Sequence, residues 1–216
     1  MKTLSVALLV LFLAAPFSQA EGARSNFEIA GIGTIYVPQD DDLYDGGAGV
    51  EIQARFWPTP YIGAALAFGS ATWAINEQDL AWRQGDVAAE ASLDDYVDLT
   101  PIGVSLLLRP IDTSRVSLTL EGGARYVIVD SQAEVKINAR GPDSRIFVRD
   151  TLDIDDGIVA VAAATLDIKL NSQVSLLGGA GYQFDLQKGD ITMLGESFGH
   201  NKLESLLIQA GVAVRF

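Results

Sequence analysis

From Glu204 to the end of the chain every second residue is apolar: Leu206, Ile208, Ala210, Val212, Val214 and the terminal Phe216. A period of two with one greasy face predicts a β-strand. The pattern recurs upstream and predicts eight strands, over 26–37, 47–57, 61–72, 97–109, 115–129, 157–170, 173–185 and 202–216. Three connections are tight, at 58–60, 110–114 and 171–172, and they alternate with the longer segments 38–46, 73–96, 130–156 and 186–201. Short turns at one end, long loops at the other and an even strand count are the layout of a membrane-spanning barrel. Each segment covers the ~9–11 residues that a tilted spanning strand needs. The predicted fold is therefore all-β: an eight-stranded antiparallel up-and-down transmembrane β-barrel with short periplasmic turns and longer extracellular loops.

The two faces of these strands differ in kind. One carries Val50, Ile52, Ala54 and Phe56, then Ile62, Ala64, Leu66 and Phe68, and continues through Ile102, Val104, Leu106 and Leu108 and through Ile158 to Ile168 without a charge. The other carries Gly49, Glu51, Gln53 and Arg55, Gly63 to Gly69, and Ser117, Thr119, Glu121, Gly123 and Arg125. In a soluble, lipocalin-like barrel the second face would meet water, and the strands at 61–72 and 173–185 would expose mostly Gly and Ala. Lining a narrow lumen, the small residues instead make room for the long charged ones, because an eight-stranded barrel is filled by its own side chains. The expected lumen acids are Glu28, Glu51, Glu121, Asp167 and Asp185, and the expected bases are Arg55, Arg109, Arg125, Lys169 and Arg215. Five against five leaves no net charge, as a buried polar core requires.

Segment 1–20 reads as a cleaved secretory signal: Lys2, an apolar stretch from Leu4 to Ala15, and Ser18-Gln19-Ala20 as the small-x-small site. Its apolar run is too short for a spanning helix. The remainder, 21–216, is one domain by length. Cysteine is absent, which excludes thiol chemistry. The formal charge of −13, concentrated by this reading in loops and ends, argues against nucleic acid as a partner. Aromatic residues gather where membrane interfaces are expected, Phe27, Phe56, Trp57, Tyr61 and Phe216 at the turn end and Tyr36, Trp73, Tyr96, Tyr126, Tyr182 and Phe184 nearer the loop end.

Taken over 21–216, the chain resembles the small eight-stranded outer-membrane barrels of the OmpA and OmpX type, including opacity-like proteins. The most specific motif is the end Gly211-Val212-Ala213-Val214-Arg215-Phe216, similar to the terminal aromatic signal, here Val212, Val214 and Phe216, that such chains present to the outer-membrane assembly machinery. The resemblance implies a monomeric barrel with lumen salt bridges, in contact with outer-membrane lipid and lipopolysaccharide. No periplasmic peptidoglycan-binding domain is visible in the sequence.

Some barrels of similar plan modify lipid A, and a serine hydrolase of that kind needs a histidine beside its nucleophile. His200 is the single histidine, and Gly199-His200-Asn201-Lys202 lacks a serine two residues on. Catalytic residues and cofactors are expected to be none. Asp40-Asp41-Asp42 with Asp45, and Asp153 to Asp156, cluster oxygen donors without the spaced pattern of a calcium loop, so no metal site is assigned. The long loops are the expected working surface. Trp73 and Trp82 in the second, and Arg145, Phe147 and Arg149 in the third, are candidate contacts for an unidentified surface ligand, since Arg and aromatic residues dominate binding hot spots. Alternation at Ala133 to Ile137 and Ile146 to Val148 equally fits strands that run on beyond the membrane. The expected function is that of a non-enzymatic barrel with a plugged, charge-paired lumen, acting as a structural or surface-interaction protein through acidic extracellular loops. A narrow porin-like channel for ions or small solutes is the alternative.

Overall fold

A computed structural model of the chain describes residues 26–39, 44–75, 80–84, 87–93, 96–131, 134–140, 145–151, 153–193 and 196–216. The leader read at 1–20 and the acidic run Asp40-Asp41-Asp42 fall outside them. Among the described residues fifteen strands follow in chain order: β1 (Phe27–Pro38), β2 (Tyr44–Phe56), β3 (Ile62–Ile75), β4 (Leu80–Gln84), β5 (Val87–Leu93), β6 (Tyr96–Asp112), β7 (Val116–Ser131), β8 (Glu134–Arg140), β9 (Arg145–Thr151), β10 (Asp153–Ile154), β11 (Gly157–Lys169), β12 (Val174–Gln187), β13 (Asp190–Met193), β14 (Glu196–His200) and β15 (Ser205–Arg215). Eight of them close a barrel in the order β1-β2-β3-β6-β7-β11-β12-β15, and β15 pairs back onto β1. Every neighbouring pair is antiparallel.

Local chemistry explains the tight end. The hydroxyl of Thr59 accepts the amide of Ile62 at 2.9 Å, that of Thr113 accepts Val116 at 3.0 Å, and the Asn171 carbonyl accepts Gln173 and Val174 at 2.8 Å each. Such side-chain-to-backbone bonds close a turn without spending strand residues. The outer wall then follows the alternation: Leu106 is 69% exposed, Leu66 64% and Val50 62%, while Gln53 and Leu107, on the other face, are fully buried. An apolar wall around a polar interior inverts the usual soluble arrangement.

The long connections differ from the expected loops. β3 runs on to Ile75, and β4, β5, β8 and β9, from the second and third connections, form a four-stranded sheet in that order. β10, β13 and β14 form a three-stranded sheet from the third and fourth. The alternation over 134–137 and 146–148 thus marks strand extension, Ala133 lying outside the described residues. Strands rising past the barrel find partners in the neighbouring connection, which satisfies their backbone groups.

Trp73, expected as a loop contact, is instead a barrel residue of β3, 0% exposed and turned into the lumen. Tyr36 and Trp57, expected in the aromatic belts, also turn inward: Tyr36 packs on Trp73, and Trp57 is buried. An aromatic ring inside so narrow a barrel needs space across from it, and glycine supplies it. A Cβ at Gly47 would lie 2.1 Å from the Trp73 ring, and one at Gly63 2.7 Å from the Trp57 ring. Phe27, Phe56, Tyr61, Tyr96, Tyr126 and Phe184 face outward.

Candidate functional site

The lumen is organised in three layers. At the turn end, Glu28 on β1 stands across from Arg55 on β2 and Arg215 on β15, because the register pairs it with both. Its carboxylate accepts Arg55 at 3.1 Å and Arg215 at 3.1 Å, and lies 3.4 Å from Arg109. Arg109 also reaches Asp167 at 3.8 Å and lies over the Trp57 ring, 3.7 Å from its centroid, a cation–π contact in a desolvated place. Asp167 accepts Ser117 at 3.0 Å and Thr119 at 3.1 Å. Three bases face two acids here.

The middle layer has the opposite balance. Arg125 donates from Nη2 to Glu51 at 2.9 Å and to Glu121 at 3.1 Å. Its Nε lies 2.9 Å from Glu51, an ion pair by distance whose N–H is misaligned for a hydrogen bond. Ser105 donates to Glu121 at 2.7 Å. Two acids face one base.

Gln53 joins the layers. Its amide oxygen accepts Arg55 Nε at 2.8 Å from below, and its amide nitrogen donates to Glu51 at 2.7 Å and Glu121 at 3.1 Å above. An amide offers an acceptor to a cation on one side and two N–H donors to carboxylates on the other. Across both layers four acids meet four bases, so the buried charge cancels within one connected set of hydrogen bonds and ion pairs. Unpaired, each would cost several kcal/mol.

Two of the ten expected lumen charges lie apart from this chain. Lys169 sits at the turn-side rim, where it bonds Asp112 and, at 2.6 Å, the Thr113 carbonyl. Asp185 lies at the loop end and accepts the Leu203 amide at 3.0 Å, anchoring the last connection to the barrel. The charged chain is continuous from Glu28 to Arg125 and stops there.

Above it the lumen is largely apolar, with Gln183 and Ser205 buried among the apolar residues, a layer that the two-face reading missed. Tyr44, Trp73, Ile75, Val97, Leu99, Val127, Val159, Val161 and Leu207 fill the loop-side mouth, with Ile154 of β10 and Ile191 of β13 packed onto them from outside the barrel. A bulge between Tyr44 and Gly46 switches the parity of β2 and admits the Tyr44 ring, and Gly46 takes φ 153°, a conformation that side chains rarely adopt. The ring meets Trp73 edge-on at 5.1 Å, and its hydroxyl donates to Asn201 at 2.8 Å. The sequence does carry a signal for this layer: around Val127 and Val159 the strands are apolar on both faces, the mark of burial on both sides.

The remaining candidates are placed as follows. Trp82, Arg145, Phe147 and Arg149 lie on β4 and β9 of the four-stranded sheet. Val212 and Val214 face outward on β15, and Phe216 donates its amide to the Phe27 carbonyl at 3.0 Å, with the two rings 6.2 Å apart. His200 is exposed, 2.8 Å from Asp190, whereas Ser205 is buried in the lumen against the Leu203 carbonyl, so the structure does not bring this histidine and serine together. Asp156, from the second acidic cluster, accepts Tyr126 and, at 3.0 Å, the Val129 amide. Among the described residues no three His, Cys, Asp or Glu side chains converge on a metal-sized point.

An eight-stranded barrel with an apolar wall and an ion-paired interior defines a class, and comparison with solved structures gives it the same fold. The chain is similar to the outer membrane protein OprG from Pseudomonas aeruginosa, at 12% identity and TM-score 0.60, over 92% of this chain and 99% of that one. It is similar to a major outer membrane protein from Thermus thermophilus, at 15% identity and TM-score 0.52, over 88% of this chain and 98% of that one. The fold is that of the small outer-membrane β-barrels. No protein-family model and no curated protein matches the chain.

Proposed function

We propose that this protein is a bacterial outer-membrane barrel without enzymatic activity, closed to solutes, that serves as a stable base for the β-structure raised at its loop end. The observation that carries the reading is the stoppered lumen. Eight strands leave room only for side chains, the lower part of that room is tied up in one ion-paired chain, and the mouth is packed with Trp73, Tyr44 and aliphatic residues. A conducting path would have to part the network and open the apolar layer together. The outward rows of Leu, Ile, Val and Phe support residence in a bilayer, since a soluble protein rarely leaves so large an apolar surface uncovered. The terminal strand with Val212, Val214 and Phe216 is proposed as the assembly signal, and the acidic connections as the side facing the medium. Lipid and lipopolysaccharide are the proposed surroundings, and the monomer the working unit.

Planar-bilayer recording tests this directly. The chain inserted in a bilayer is expected to be silent. Discrete, reproducible current steps would overturn the closed reading in favour of a narrow channel, and failure to insert would overturn the membrane reading.

A further inference from the structure

The turn end of the barrel is filled on one side only. Under β2, β3 and β6, Trp57 packs with Ala65 and Leu107 and carries Arg109 over its ring. Under β7, β11, β12 and β15 lies a cavity of about 480 Å³, within the size range of small-molecule sites. Register explains its lining. Lys169 of β11 stands opposite Ser175 of β12, and Ser175 opposite Ala213 of β15. Asp167, two residues before Lys169, and Arg215, two after Ala213, are lumen residues, and an even step keeps the same face. Ser175 and Ala213 are too short to fill the space that Trp57 fills across from them. Arg115 enters from the turn between β6 and β7, its carbonyl accepting the Lys169 amide at 2.8 Å.

Around this cavity the charged acceptor is already used and the charged donors are not. Both oxygens of the Glu28 carboxylate are taken by arginines, Arg55 on one and Arg109 and Arg215 on the other. The Asn171 carbonyl is taken by the turn amides of Gln173 and Val174. Arg215, in contrast, spends one of its N–H groups on Glu28, and Lys169 spends two, on Asp112 and the Thr113 carbonyl. The Arg115 guanidinium is exposed and has no ion-pair partner among the described residues. Among the described side chains of this end, the five bases Arg55, Arg109, Arg115, Lys169 and Arg215 meet three acids, Glu28, Asp112 and Asp167. In a chain of net charge −13 that surplus of positive charge is a local exception.

We propose that this turn-side recess binds a small, soluble phosphate monoester. Such a group carries about −1.5 to −2 charges at neutral pH and three strong acceptor oxygens, which is the complement of the surplus charge and the unspent donors. The forks of Arg115 and Arg215 match phosphate oxygens in parallel hydrogen bonds, and Lys169 adds a point charge. The cavity is larger than a bare phosphate, and Ser172 and Gln173 offer polar contacts to an organic group beside it. Its lining comes from inside the ring of strands, so the ester reaches it from solution and not from the lipid against the outer wall. Glu28 and the ion-paired chain behind it end the recess, and binding there needs no passage through the barrel. The inference therefore goes beyond the closed-barrel reading and stands apart from it.

The test is isothermal titration calorimetry on the full chain folded in maltoside micelles, which carry no phosphate and leave both ends of the barrel in water. Saturable one-site binding is expected for glycerol 3-phosphate. Inorganic phosphate, which lacks the organic group, should bind more weakly, and glycerate, a carboxylate with a single charge, on the order of tenfold more weakly than the ester. Arg115→Gln should lose on the order of tenfold in affinity for the ester, while Lys188→Gln, exposed between β12 and β13 at the loop end, leaves it unchanged. Heat-modifiable mobility on gels reports whether each variant is folded, and the wild type's preference for the ester over glycerate needs no variant. Absence of saturable binding, equal affinity for ester and glycerate, or an affinity that Arg115→Gln keeps or Lys188→Gln weakens equally would overturn the proposal. Inorganic phosphate bound as tightly as the ester would overturn the assignment of an ester.

Discussion

Replacing Arg125 with methionine tests whether the lumen is a dry, ion-paired core. The guanidinium is the one cation of the middle layer and contacts both Glu51 and Glu121 within 3.1 Å, with its side chain 5% exposed. In its absence the two carboxylates keep only neutral donors, Gln53 at 2.7 and 3.1 Å and Ser105 at 2.7 Å. Removing one partner of a buried pair costs about 3–5 kcal/mol, and because this arginine serves two acids the loss should fall near the upper figure. Two acids and one base give the layer a charge of −1. Arg125→Met takes it to −2, and adding Glu51→Gln returns it to −1, so the double variant should recover about 2 kcal/mol or more of the loss. Equilibrium unfolding by denaturant in phospholipid vesicles, followed by tryptophan fluorescence, measures all three proteins. A loss under about 1 kcal/mol for the single variant is what a water-screened pair gives, and would refute the claim that the middle lumen excludes solvent.

Ala162→Arg, on the outer wall of β11, should cost about 2–4 kcal/mol in the same assay, whereas Ala67→Ser inside β3 should cost well under that; equal tolerance would mean that the faces are inverted. Trp73→Ala should cost about 3–5 kcal/mol through the cavity it leaves, yet stay silent in bilayer recordings because the ion-paired chain below still closes the lumen; current from this variant would show that the apolar layer alone is the barrier. Phe216→Ala removes the ring beside Phe27 and is expected to slow assembly into the outer membrane in cells while leaving refolding into vesicles nearly unchanged; unaltered cellular assembly would count against the terminal-strand signal.

The number, order and facing of the barrel strands were legible because period-two alternation is set by the pleat itself and, once one face meets lipid, leaves no freedom in register. The lower lumen was legible for a related reason: Glu28, Arg55, Glu121 and Arg125 interrupt an otherwise small-residue face, and buried charge has to balance. The apolar mouth was hidden because much of it alternates with equally apolar outward residues, so that Val127 and Val159 look like wall on either side. Trp73 and Trp57 were assigned to the belts because aromatic composition at strand ends does not tell inward from outward; only the glycines opposite them do, and those pairings appear once the register is known. Tyr44 required a bulge, which breaks the very alternation used to find the strand. Gln53 carried no charge to draw notice, yet its position between Arg55 and the two glutamates makes it the joint of the network.

The barrel is closed by its first and last strands. β1 meets β15 along eleven register pairs, from Glu28 with Arg215 to Pro38 with Ser205. Glu28, the hub of the lower lumen, finds one of its three arginines only on the final strand. A chain lacking that strand therefore has two raw sheet edges and an acid with its partner set incomplete, whatever the condition of the hairpins between them. Closure is an all-or-nothing event that waits for the last residues to arrive, and the interior charge and the wall become whole in the same step. Such a design delays commitment: the sheet stays open along its seam until both of its ends are present in the same place.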